Sequence, residues 1–157
     1  MLEINKSSRH SKITGDFSES LILYWLSKHG FECANVDHTG IDIIAKNPIT
    51  DELMGISVKS RSRNKGKAGQ YLSIPNDNFS KVEEACLTFK CVPYFAIVID
   101  EAGKIKVFII SMKKLLDYFP MRNKVSGWKM SKKWIEKYNS DNQIIKVEFK
   151  YQTINWW

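Results

Sequence analysis

Cysteine and histidine are scarce in this chain, and each shortage removes a class of function. Cys33, Cys86 and Cys91 are odd in number and show no CxxC spacing. Neither a disulfide framework nor a zinc knuckle is indicated, and reduced thiols in or near a core account for all three. His10, His29 and His38 lack metal-ligand spacing. No GxxxxGK[ST] and no GxSxG occurs, which leaves ATP-dependent and serine-hydrolase chemistry without support. No apolar run approaches the roughly 18 residues needed to span a bilayer, and no basic start leads into a long apolar stretch. A cytoplasmic protein without a membrane segment is the expectation.

Acids are also in deficit. Against 17 Asp and Glu stand 24 Lys and Arg, a net charge of +7. That surplus argues for a polyanionic partner, nucleic acid first and an anionic membrane surface second. The 157 residues suffice for one domain with a real core and are too few for two.

Residues 1–13 are polar and basic and read as a loose lead-in. Helical periodicity runs from Thr14 or Gly15 to about Lys28, with Phe17, Leu21, Trp25, Ile22 and Leu26 forming a wide apolar surface and Gly30 in the position of a C-terminal cap. At about 100° per residue, Asp16, Ser20 and Ser27 share a polar strip, whereas Glu19 lies beside Ile22 and Leu26 and points toward the interior edge.

Three short strands are expected at Phe31–Val36, Ile41–Lys46 and Gly55–Ser60, with Gln70–Ile74 extending a further one. Pro75 opens a second helix on Phe79, Val82, Cys86 and Phe89. Pro93–Asp100 and Lys104–Ser111 make a hairpin around Glu101–Gly103. A short helix near Met112–Phe119, a basic loop, a helix near Ser131–Tyr138 and a strand near Gln143–Thr153 complete the chain. The order α-β-β-β-α-β over residues 14–100 predicts an α/β (α+β) fold with a mixed central sheet flanked by helices, and residues 101–157 form a C-terminal α/β extension.

One hairpin carries the chemistry. With its loop centred near residue 50, Asp42 falls opposite about Val58, and Ser57 and Lys59 share a strand face. Adding Glu19 from the preceding helix gives two carboxylates and an ammonium, with the Ser57 hydroxyl alongside. Such a set suits phosphodiester hydrolysis: carboxylates hold Mg²⁺ (or Mn²⁺), the ion acidifies a water, and the lysine orients that water or offsets developing charge. A solvated cross-strand ion pair and a first-turn helix acid are the plain alternative.

The runs Gly40-Ile41-Asp42-Ile43-Ile44-Ala45 and Gly55-Ile56-Ser57-Val58-Lys59-Ser60, preceded by Glu19 in a helix that begins Gly15-Asp16-Phe17, resemble the PD-(D/E)XK nuclease superfamily. Within it the look is that of Holliday-junction resolvases and related restriction-type nucleases. The resemblance implies a restriction-endonuclease-like core, Glu19 and Asp42 as metal ligands and Lys59 as the catalytic lysine, in a Mg²⁺-dependent endonuclease acting on branched or otherwise unusual DNA. Ile41 replaces the usual proline. Ser57 stands where the second acid belongs, so a nuclease-fold DNA-binding module or complex subunit without strong activity is the other reading. Gln70 resembles a polar residue that some relatives place near the site, and Glu83 or Glu84 offers a substitute acid unless both simply face water.

Two basic stretches are expected to meet DNA. Arg61, Arg63, Lys65 and Lys67 follow Lys59 in a glycine-containing loop without an acid. Arg122, Lys124, Lys129, Lys132, Lys133 and Lys137 are interleaved with Trp128, Trp134 and Tyr138, rings that either stack on bases or anchor a helix to the core. Trp156 and Trp157 either fold back on the body or join a subunit interface, as in a homodimer. His38 is either a surface histidine or an aid to proton transfer near Asp42.

Overall fold

A computed structural model describes residues 5–63 and 71–155. Lys65, Lys67, Gln70, Trp156 and Trp157 lie outside the described residues.

The first helix, α1 (His10–Lys28), starts four residues earlier than the periodicity indicates. His10–Ile13 are helical rather than a lead-in, because the Ile13 amide N–H donates to the Arg9 carbonyl (3.1 Å) and Lys12 pairs with Asp16 at 3.1 Å. Ile13 is about half exposed, so this turn carries no apolar signal. The other end is a Schellman cap: Gly30 adopts φ 87°, its N–H donates to the Ser27 carbonyl, and the Phe31 N–H donates to the Leu26 carbonyl. Ile22 and Leu26 are fully buried, whereas Phe17 is exposed and leaves the apolar surface expected of it.

Strands β1 (Glu32–Asn35), β2 (Ile43–Lys46) and β3 (Leu53–Arg63) form an antiparallel run. β4 (Leu72–Pro75) and α2 (Asn76–Phe89) then cross to β5 (Val92–Glu101), which pairs with β3 in parallel over ten residues. β6 (Lys104–Ser111) and β8 (Ile145–Lys150) complete an antiparallel edge, giving the described sheet the order β1-β2-β3-β5-β6-β8. Between them lie α3 (Met112–Tyr118), β7 (Val125–Trp128) and α4 (Lys132–Ser140). β4 and β7 pair separately as a small antiparallel sheet. Sequence periodicity puts β7 in a basic loop, because a four-residue strand with Ser126 and Gly127 at its centre has no apolar alternation.

The central strands are buried on both faces, as a parallel pair demands. On one face α1 covers Ile43, Ile56, Ala96 and Val98. On the other, α2, α3 and α4 contribute Phe79, Leu115 and Tyr138 to a cluster with Phe95 and Ile97. Phe89, expected on the buried face of α2, is 41% exposed, with His38 against its ring at 5.3 Å. Trp128 and Tyr138 are fully buried and stacked at 4.1 Å, so these two rings anchor the extension to the core rather than facing a ligand.

Candidate active site

The site begins as a notch in the sheet. β2 pairs with β3 only as far as Ile43 against Ile56, while β3 continues to Arg63 beside β5. From Ser57 onward, the described residues give that edge of β3 no strand partner. Asp42 stands where the chain leaves this edge. Its amide N–H donates to the Ile56 carbonyl (2.8 Å), its carbonyl accepts from Val36 (2.9 Å), and its Oδ2 accepts the Val58 N–H (2.7 Å). The loop before it is held against α2 by Gly40, where a Cβ would lie 2.1 Å from the Lys81 carbonyl oxygen.

The hairpin register differs by one residue from the expectation. Lys46 pairs with Leu53, so six residues form the loop and Asp42 falls level with Ser57 instead of Val58. The Asn47 side chain fixes that loop by accepting from Ile49 and Thr50, and Asp51 takes φ 61°. The carboxylate still reaches Val58 because Asp42 has left the pleat.

Glu19 comes from α1, on the other side of the notch, half-buried beside the buried Ser18 and Ile22. Its pKa is raised, first by burial, then by the charge of Asp42 and of Asp16, and by a hydrogen bond between the Glu19 and Asp42 carboxyl groups. The Asp42 pKa is also raised by burial, against the opposing effects of the Val58 N–H, the Lys59 charge and the Glu19 hydrogen bond. Negative charge on Glu19 is therefore disfavoured, and either a proton or a bound cation relieves it.

Lys59 projects from the α2-facing side of β3, where its Nζ donates to Asn78 Oδ1 (2.5 Å). Burial lowers its pKa, the Asp42 charge works in the opposite direction, and Arg61, Asp77 and Lys81 add smaller effects. Asp42 and Lys59 thus feel each other across the strand edge. Asn78 carries no sequence signal beyond a polar residue in the first turn of a helix.

Ser57 lies two residues before Lys59 on the same side and is 3% exposed. Among the described residues no group of three His, Cys, Asp or Glu side chains converges. Glu83 and Glu84 face water on α2, so neither takes the place of the missing acid. His38 is exposed and accepts from the Gly40 N–H (3.2 Å), the role of a loop residue.

Arg61 and Arg63 belong to β3, not to a loop, because pairing with β5 extends to Arg63 against Glu101. Strand alternation starts both side chains on the side of Lys59, but that of Arg61 lines cavities against α1 with His10 and Thr14. Arg63 Nη2 donates to the Tyr71 carbonyl (3.1 Å), while Arg61 is exposed. Lys132 and Lys133 are exposed in the first turn of α4. No helix is long and apolar enough to cross a membrane among the described residues.

No family model matches the sequence, and no curated protein matches it. Among solved structures the chain is similar to a Holliday junction resolvase, Hjc, of the archaeal hyperthermophile Archaeoglobus fulgidus, at 20% identity and a TM-score of 0.56, over 73% of this chain and 83% of that one. A restriction endonuclease in complex with substrate DNA is similar at 16% identity and a TM-score of 0.42, over 90% of this chain and 71% of that one. The chain therefore has a restriction-endonuclease-like fold, shared with the archaeal resolvase.

Proposed function

We propose that this protein is a divalent-metal-dependent DNA endonuclease that acts on branched or otherwise unusual DNA. The observation that supports it best is the meeting of Glu19, Asp42 and Lys59 at the β3 notch, from three separate elements. A structural ion pair needs no second, half-buried carboxyl group whose pKa is raised by burial and by the charge of the first.

The residues suit Mg²⁺, which is commonly held by one or two carboxylates together with substrate phosphate and water. Glu19 and Asp42 would hold it. When bound, such an ion polarises a phosphate and acidifies a water. Val58 fixes the orientation of the Asp42 carboxylate through its N–H. Asn78 holds the Lys59 ammonium where it balances charge that develops on the phosphate. Arg61, on the same strand, extends positive charge along the path of the backbone.

Ser57 favours a second reading, a nuclease-fold module that binds DNA with little or no cleavage. A buried hydroxyl supplies neither charge nor a strong ligand to a hard cation. Supercoiled plasmid and synthetic four-way junctions, incubated with Mg²⁺, Mn²⁺ or EDTA, separate the two. Cleavage that requires the metal and is lost in Lys59→Ala supports the enzyme. Metal-independent binding without cleavage supports the module, and absence of DNA binding rejects both.

A further inference from the structure

We propose that a second pocket, beside the small β4–β7 sheet, receives a single unpaired nucleobase, with the adjoining phosphate met by the cations of its walls. This deepens the DNA reading above and rests on it.

The cavity measures about 270 Å³. Tyr71, Tyr118, Phe119 and Trp134 line it, and so do Arg122 and Lys129. That volume lies near the lower end of small-ligand pockets, about 300 Å³, so it admits one planar ring system and excludes a helix or a strand. Lys137 and Lys129 lie over the Trp134 ring, at 4.9 and 5.4 Å. No carboxylate is among the lining residues. Asp141, behind Tyr118, is engaged by the Tyr118 hydroxyl and by Lys114 at 3.1 Å.

A nucleotide is a flat π surface joined to an anion, and each half has a counterpart here. Rings stack on any base, and ammonium and guanidinium groups meet a phosphate. An apolar peptide segment would use the rings but gain nothing from so many cations.

The position fits as well. Tyr71 is 54% exposed, at the open side of the cavity. The Asn76 side chain donates to the Arg122 carbonyl (2.6 Å), and the Asn76 N–H donates to the Lys124 carbonyl (2.9 Å). Two residues further along α2, Asn78 holds Lys59. The pocket and the catalytic lysine are thus framed by one helix start, so a strand crossing the notch has a base receptor built into the same frame. Branched, bulged or mispaired DNA offers such a base at little unstacking cost, whereas a perfect duplex must extrude one.

The test uses three duplexes: fully paired, carrying one bulged 2-aminopurine, and carrying an abasic residue at the same bulge. The wild-type protein should bind the base-bearing bulge at least about fivefold more tightly than the abasic one, and the fluorescence of the probe should change on binding. Tyr71→Ala, which removes an exposed ring and spares the core, should abolish that preference and leave the affinity for the paired duplex unaltered. Arg122→Ala should weaken the bulged complex without removing the preference for base over abasic site. Equal affinity of the wild type for the two bulges overturns the pocket and leaves the DNA reading standing. Failure to bind any duplex overturns both. Quenching of Trp134 by an aromatic peptide, with none by the bulge, identifies a protein-docking pocket instead.

Discussion

The Val58 amide N–H donates to Asp42 Oδ2 at 2.7 Å, which ties the first acid of the site to the strand that carries Lys59. The Oδ2 atom is thereby engaged by the backbone. Asp42→Asn keeps an acceptor for Val58 and removes the charge. It should abolish cleavage while DNA affinity and the melting temperature stay near wild type. Asp42→Ala leaves the Val58 N–H without its partner and should lose about 1–3 kcal/mol of stability in urea titrations. Loss of DNA binding by the Asn variant would show that Asp42 serves the DNA contact instead of the metal.

Glu19 and Asp42 both have raised pKa values, so the folded state binds protons more tightly here than the unfolded chain does. Their contribution to stability is therefore present at low pH and is lost as the pH climbs from the unfolded value, about 4, through the raised folded values. Glu19→Gln removes the repulsion. Without metal, it should gain stability relative to wild type as the pH rises, and added Mg²⁺ should stabilise only the wild type. Thermal unfolding across this range, with Mg²⁺ and with EDTA, reads both effects. Parallel curves for the two proteins would mean that folding does not raise the pKa of Glu19.

Asn78 should act as a positioning residue for Lys59. A hydrogen bond to a charged group contributes about 1.5–3 kcal/mol, so Asn78→Ala should slow cleavage by about 10- to 100-fold. Because the carboxylates are untouched, Mn²⁺ affinity should not change. Asn78→Asp, a carboxylate beside the ammonium, should shift the alkaline limb of the pH–rate profile upward. A merely structural Asn78 would leave that limb in place.

Much of this arrangement is legible in the sequence, and the parts that are not share a cause. Continuous apolar residues mark β5, the turn at Gly103 marks the hairpin with β6, and Gly30 marks the end of α1, because each is a local signal. The residue types at 19, 42 and 59 are readable as well. Their meeting is not, since it depends on β2 ending at Ile43 while β3 runs on. Asn78 is invisible because only the crossover from β3 to β5 brings the start of α2 against Lys59. β7 escapes a local reading because its partner lies about fifty residues earlier in the chain.

Ser57 is the position at which the proposed cation site is tested most directly. Ser57→Asp or Ser57→Glu places a carboxylate at a position only 3% exposed. Either variant should bind Mn²⁺ more tightly by calorimetry, nick plasmid faster, and melt lower than wild type without metal, since burial and repulsion penalise the added charge. Unchanged Mn²⁺ binding in both variants would remove residue 57 from the metal site.

Arg61 is exposed beyond Lys59 on β3, and DNA contact there should be read in the salt dependence. Arg61→Ala should lower the slope of log K against log salt by about 0.9 for each phosphate it ceases to neutralise. Lys132→Ala with Lys133→Ala makes the matching comparison on α4. If only the α4 pair changes the slope, the duplex lies over the extension.

The pairing of Leu72 with Trp128 and Pro75 with Val125 has a consequence for how the molecule assembles. Contacts that span so many residues close late, because the intervening chain must first surrender its freedom. The start of α2, which presents Asn78 to Lys59, is tied to residues 122–125 of the same late-closing segment. During synthesis the notch can form as soon as β5 is available, but its lysine acquires a braced neighbour only when residues 122–125 have emerged. A nascent chain would thus hold Lys59 beside an unbraced α2 until residues 122–125 fold against it.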